Sequence, residues 1–321
     1  MSDYYDLGNY RRMVTTVSDD AQRWFDRGLL WCYGYNHEES IACYRRALEV
    51  DPDCAMAWWG IAYASGCNYN KPWEAFDDED ARQSVATAFE AAANAKRLAA
   101  SATLVEQALI EAVPARYPQA TPGDDMEAWN DAYADAMREV YRQFGDDADV
   151  STLFAEALMN RTPWALWDLK TGEVAGGADT AEALQVLEAA MARDGGDRHP
   201  GLLHMYIHLM EMSPHPEQAL KAGDNLRDLV PDAGHLQHMP THIDVLCGHY
   251  ETVVRSNTAA IVADRKFLER EGALKFYSLY RCHDYHFKIY GAMFLGQRQP
   301  ALDAADEMIR TLPEELLKVE S

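Results

Sequence analysis

Three observations predict an all-α fold. Almost every segment of the 321 residues reads as an amphipathic, often alanine-rich helical run. The runs are separated by short Gly, Pro or Asp-Pro punctuation. No stretch alternates apolar and polar residues as a half-buried strand does.

The first pair of helices lies in "AQRWFDRGLLWCYGYNHEESIACYRRALEVDP" (21–52), where Trp24, Gly28, Tyr44, Ala47 and Pro52 occupy fixed landmarks. "CAMAWWGIAYASG" follows at once, with Trp58 in the place of Trp24. These offsets resemble the tetratricopeptide repeat of about 34 residues. The resemblance implies a right-handed α-solenoid of tetratricopeptide-like helical hairpins, whose stacked pairs share a core and present a concave binding face.

Further along, helices are predicted near 79–97, 102–113, 125–144 and 148–160, then a loop, "RTPWALWDLKTGEVAGG". Three more helix–turn–helix units follow from turn and proline landmarks, at 200–231, 234–264 and 282–313. The expected organisation is one domain over 1–321, with repeat-like pairs at 21–78, degenerate hairpins at 79–199 and histidine-bearing repeats at 200–321.

A net charge of −23 without a local basic patch argues against nucleic-acid or anionic-membrane partners. No run of about twenty apolar residues appears, and "MSDYYDLGNYRRM" has neither signal-peptide nor transit-peptide character, so the expectation is a cytoplasmic protein. Six scattered cysteines without a Cys-x-x-Cys pair indicate reduced, mostly buried thiols.

The histidines carry the chemistry. In tetratricopeptide repeats the first helix of each pair lines the concave face through its second, fifth, ninth and twelfth residues, a helical stripe. On that grid the unit from Pro200 places His204, His208 and Glu211; the unit from Gly234 places His235, His238 and His242; the unit from Cys282 places His283, His286 and Tyr290. Seven of eleven histidines thus share one predicted stripe, while His37, His199, His215 and His249 fall near turns or helix starts.

A lone histidine there is more often a hydrogen-bonded core residue. Seven converging imidazoles without a metal would leave unpaired donors or repelling cations, which points to metal ligation. Pro240 should kink its helix or start a new one. Seven histidines and Glu211 exceed one tetrahedral shell, so two or more transition-metal ions are expected, copper or iron before zinc. Trp59 and Tyr63 are candidates for binding a small-molecule substrate at an aromatic end of the groove, or simply for helix packing. Glu156 and Asn160 read as a polar pair supporting the site or as ordinary helix polarity.

"CAMAWWGIAYASGCNYN", "HPGLLHMYIHLMEMS", "AGHLQHMPTHI" and "CHDYHF" together resemble a little-characterised microbial group of tetratricopeptide-repeat proteins with His-rich motifs in the same order. Members of that group are longer, so the chain reads as a shorter relative or a truncated form, whose uncapped apolar face would favour a homodimer.

The combined expectation is a metalloenzyme with ligands His204, His208, Glu211, His235, His238, His242, His283 and His286. Glu211 is the candidate ligand or general base and Tyr290 a nearby donor or radical-competent phenol. A dioxygen-activating oxidoreductase is preferred to a hydrolase using metal-activated water, because imidazoles outnumber carboxylates. A non-catalytic peptide-binding scaffold is the alternative of another class, and a groove nearly free of Lys and Arg weighs against it.

Overall fold

The computed structural model describes residues 4–315 apart from 273 and 276. Its elements are α1 (Asp19–Tyr33), α2 (His37–Val50), α3 (Ala55–Ala64), α4 (Asp78–Leu98), α5 (Leu104–Ala112), α6 (Glu127–Phe144), α7 (Ala148–Met159) and α8 (Thr180–Met191). They continue with α9 (Pro200–Met210), α10 (Leu220–Leu226), α11 (Gly234–His238), α12 (Pro240–Leu246), α13 (Tyr250–Glu271), α14 (Tyr277–Phe294) and α15 (Arg298–Thr311). Two isolated bridges, Asn68 with Lys71 and Trp167 with Val174, are the β-type pairings among the described residues. The all-α expectation holds.

Local chemistry explains where the helices start. Ser18, Asn36, Asp77 and Asp147 cap α1, α2, α4 and α7 by accepting backbone N–H groups of the first turn. Thr103 and Glu106 form a reciprocal capping box on α5. The predicted helices at 79–97, 102–113, 125–144 and 148–160 correspond to α4 to α7. The last pair differs, because its first helix begins at Tyr277 rather than Cys282.

The chain forms two compact units. One spans Tyr10–Met205; the other joins the segment up to Asn9 with everything from Tyr206 onward, so the division falls within α9. In the first, consecutive helices from α1 to α8 pack side by side. Its entry segment is fastened by Arg12, which pairs with Asp147 at 2.8 Å and Asp149 at 2.6 Å. Tyr10 and Tyr33 hydroxyls also donate to Asp149, and His199 Nε2 lies 3.1 Å from the same carboxylate. Leu202 N–H donates to His199 Nδ1, so His199 caps α9 as a neutral side chain with its proton on Nε2.

In the second unit, α11 and α12 pack on α13, α13 on α14 and α14 on α15. The segment before Tyr10 is tied in by mutual hydrogen bonds between Asp6 and Asp232 and by Tyr5 against Phe267. All six cysteines are free, with Cys32, Cys43, Cys54 and Cys67 buried. No helix among the described residues is long and apolar enough to cross a membrane.

Tyr44 shows why the repeat landmarks matter. It is fully buried between α1 and α3, and a Cβ added at Gly28 or Gly60 would come within 2.6 Å or 2.5 Å of its ring. Both glycines therefore exist to admit the ring. Gly60→Ala should destabilise the protein by about 1–3 kcal/mol, the usual cost of overpacking, read as a lower thermal midpoint. An unchanged midpoint would show that Tyr44 is not confined by these helices.

Candidate metal centre

The centre is built within the second unit by α9, α11, α12, α13 and α14. α11 approaches α13 so closely that a Cβ on Gly234 would collide with the Asp264 carboxylate, which only glycine avoids. The Tyr277 hydroxyl accepts the His235 N–H at 3.1 Å and fixes the first turn. Pro240, lacking an N–H, divides α11 from α12, yet Met239 between them keeps helical angles of −49° and −41°. The chain bends without losing helical phase, so His238 and His242 stay one turn apart on the same side.

Three imidazoles meet through their Nε2 atoms. His238 Nε2 lies 2.8 Å from His242 Nε2, and His242 Nε2 lies 3.4 Å from His283 Nε2. His238 is fully buried and His242 is 8 % exposed. His283, on α14, is half-buried. Their candidate donor atoms all lie within 4.8 Å of one another.

What sits behind the rings fixes their protons. Asn257 on α13 donates through Nδ2 to the Val253 carbonyl at 2.8 Å and to Thr241 Oγ1 at 3.2 Å, so its Oδ1 is the atom that faces His238 Nδ1 at 2.7 Å. His238 must therefore carry its proton on Nδ1. Glu211 Oε1 accepts from His208 Nδ1 at 2.7 Å, and its other oxygen accepts from His242 Nδ1. Those two histidines carry a proton on Nδ1 as well. The Nε2 atoms of His238 and His242 consequently point at each other across 2.8 Å.

Burial, reinforced by His242 and His283, holds the His238 imidazole well below its ordinary range. Burial with the neighbouring His242 and His286 pushes His283 down to about 3. Burial likewise lowers His208 despite its bond to Glu211. Glu211 itself is held far below the usual carboxylate range, its own burial opposing this but overcome by His242 and His208. A carboxylate so engaged is a poor general base; what it does here is hold two rings in place.

The other predicted residues are distributed as follows. His235 stacks on His208 with ring centres 6.1 Å apart. His204 belongs to the first unit. Its Nδ1 meets the Tyr33 carbonyl at 2.6 Å, so the proton is on Nδ1 there too, and its ring packs 4.7 Å from Tyr35. His286 is exposed, its ring 6.4 Å from His283, and it turns away from the three meeting nitrogens. Tyr290 is 45 % exposed against Phe294. Trp59 and Tyr63 stack on each other at 5.2 Å in the interior of the first unit, where the Tyr63 hydroxyl donates to Glu156, so neither lines an open groove.

Four contributors carry no metal-site signal in the sequence. Asn257 is one. Phe287 is another, its ring centre 4.8 Å from His238, 4.8 Å from His242 and 4.7 Å from His283, which walls one side of the centre with hydrocarbon. The remaining two are Asp284, whose Oδ1 comes within 3.3 Å of His238 Nδ1, and Asp264 beside it. Burial pushes Asp264 up to about 6, and burial with the Asp264 charge beside it raises Asp284 well above the carboxylate range, so the pair retains a proton.

Neither a protein-family model nor a curated protein matches this sequence.

Because Asn257 Oδ1 sets the His238 tautomer, Asn257→Leu should weaken metal binding about 10- to 100-fold, while Asn257→Asp, which keeps an acceptor, should lose less. Competition with a chelator of known affinity measures both. Equal affinity in wild type and Asn257→Leu would detach the amide from the metal.

Proposed function

We propose that the protein is a metal-dependent enzyme whose metal is held by His238, His242 and His283 through Nε2. One observation carries the reading: two buried Nε2 atoms, on rings each fixed by an acceptor behind it, face each other at 2.8 Å. A metal ion between them would bind both nitrogens. Ligands of a tetrahedral ion with bonds of about 2.0–2.1 Å stand roughly 3.3 Å apart, so the observed 2.8 Å and 3.4 Å need shifts of only a few tenths of an ångström. His208 and His235 supply imidazoles for a second ion nearby. The scaffold is read as tetratricopeptide-like hairpins, supported by the Gly28, Tyr44 and Gly60 packing.

We prefer an oxidoreductase acting on a small organic substrate, because the nitrogens that meet are all imidazole and the one carboxylate in reach, Glu211, is committed to two Nδ1–H groups. Copper or iron bound by imidazoles supplies dioxygen activation, and zinc would instead supply an activated water. The chain's own residues orient and shield: Glu211 and Asn257 set the tautomers, and Phe287 excludes water from one side. The approach left for a substrate is past His283, the least buried of the three rings. The zinc hydrolase is the second reading, favoured by three imidazoles within reach of one ion, the ligand number of a catalytic zinc.

Protein purified without a tag or chelator should contain copper or iron by plasma mass spectrometry. Both His242→Ala and His283→Ala should lose that metal while retaining wild-type helical circular dichroism. Zinc in its place would transfer the assignment to the hydrolase, and full metal occupancy in both variants would rule out this ligand set.

A further inference from the structure

The interior of the first unit holds a second unusual group, Arg116, at the end of a short 3-10 turn after α5 and only 1 % exposed. Its Nη2 donates to the Cys67 carbonyl and lies 3.4 Å from Cys67 Sγ. Its Nε and Nη1 have no hydrogen-bond partner among the described residues. The guanidinium lies over the rings of Tyr63, at 4.9 Å, and Tyr133, at 5.1 Å. The buried hydroxyls of Tyr133 and Tyr117 are likewise without partners among the described residues.

A guanidinium keeps its charge in any protein interior, and a buried charge without a partner is strongly unfavourable. Two aromatic faces offset part of that. Glu156 is the nearby carboxylate, but it accepts the Tyr63 hydroxyl, and among the described residues it receives no hydrogen bond from Arg116 Nε or Nη1. The site therefore has buried donors in excess of acceptors.

We propose that Arg116 holds a small monovalent anion, of the size of a halide, nitrate or formate, inside the first unit, with the Tyr117 and Tyr133 hydroxyls available as neutral donors. A larger anion is excluded because Tyr63, Tyr117 and Tyr133 are all buried, and Tyr63 is packed against Tyr133 and Trp59. This site is independent of the histidine centre.

The test is diffraction from crystals grown with bromide as the only small anion, using data at the bromine absorption edge. An anomalous peak within hydrogen-bonding distance of Arg116 Nε or Nη1 is the expected result. Water alone at those atoms would overturn the proposal. Thermal melting at constant ionic strength gives a second reading: the midpoint should be higher in chloride or formate than in gluconate, which is too large to enter. Folded Arg116→Met should lose that difference, and the same difference persisting in the variant, or absent from wild type, counts against the site.

Discussion

The contact between His238 Nε2 and His242 Nε2 is the constraint around which the second unit is arranged. Two lone pairs at hydrogen-bonding distance repel unless something positive lies between them, and the groups behind the rings engage both Nδ1 atoms, so that Nε2 is the nitrogen each ring turns toward the contact. Asn257 can present only its carbonyl oxygen because both hydrogens of its amide are used by Val253 and Thr241. Glu211 can only accept. From these two restrictions follow the protons on Nδ1 of His238 and His242, which leave Nε2 as the nitrogen available to a metal.

The helices supply this geometry at a local cost. Pro240 gives up one helical hydrogen bond between the two histidines, but the retained helical angles at Met239 keep them in phase. The long α13 brings Asn257 and Asp264 against the same segment, two turns apart on one face. Asp264 and Asp284 add a second buried acidic pair, close enough to His238 that removing their shared proton would alter the field at the centre. Phe287 then does with hydrocarbon what no polar residue could, keeping one side of three imidazoles dry.

Much of this was legible in the sequence, for physical reasons. Helix starts were readable because capping residues and proline act within one turn, so α4 to α7 fall close to their predicted bounds. The Trp, Gly, Tyr landmarks were readable because Tyr44 needs two glycines to seat its ring. The histidine stripe anticipated that His238, His242 and His283 come together. It did not do so for His286, which is exposed where His283 is half-buried. It misjudged Glu211 because the partner that engages it, His242, lies 31 positions along the chain. Asn257, Asp264, Asp284, Phe287 and Arg116 were invisible to spacing, as each acts through a neighbour brought close only by tertiary packing. Trp59 and Tyr63 were placed on an open groove by analogy with the repeat, whereas the structure buries both, Tyr63 beneath Arg116.

X-ray absorption at the edge of the co-purifying metal, on wild type and His238→Ala, tests the central claim most directly. Three imidazole nitrogens at about 2.0–2.1 Å in wild type, falling to two or to no bound metal in the variant, is the predicted result. A metal shell without imidazole scattering, or one unchanged by His238→Ala, would contradict the assignment and require another explanation for the facing nitrogens.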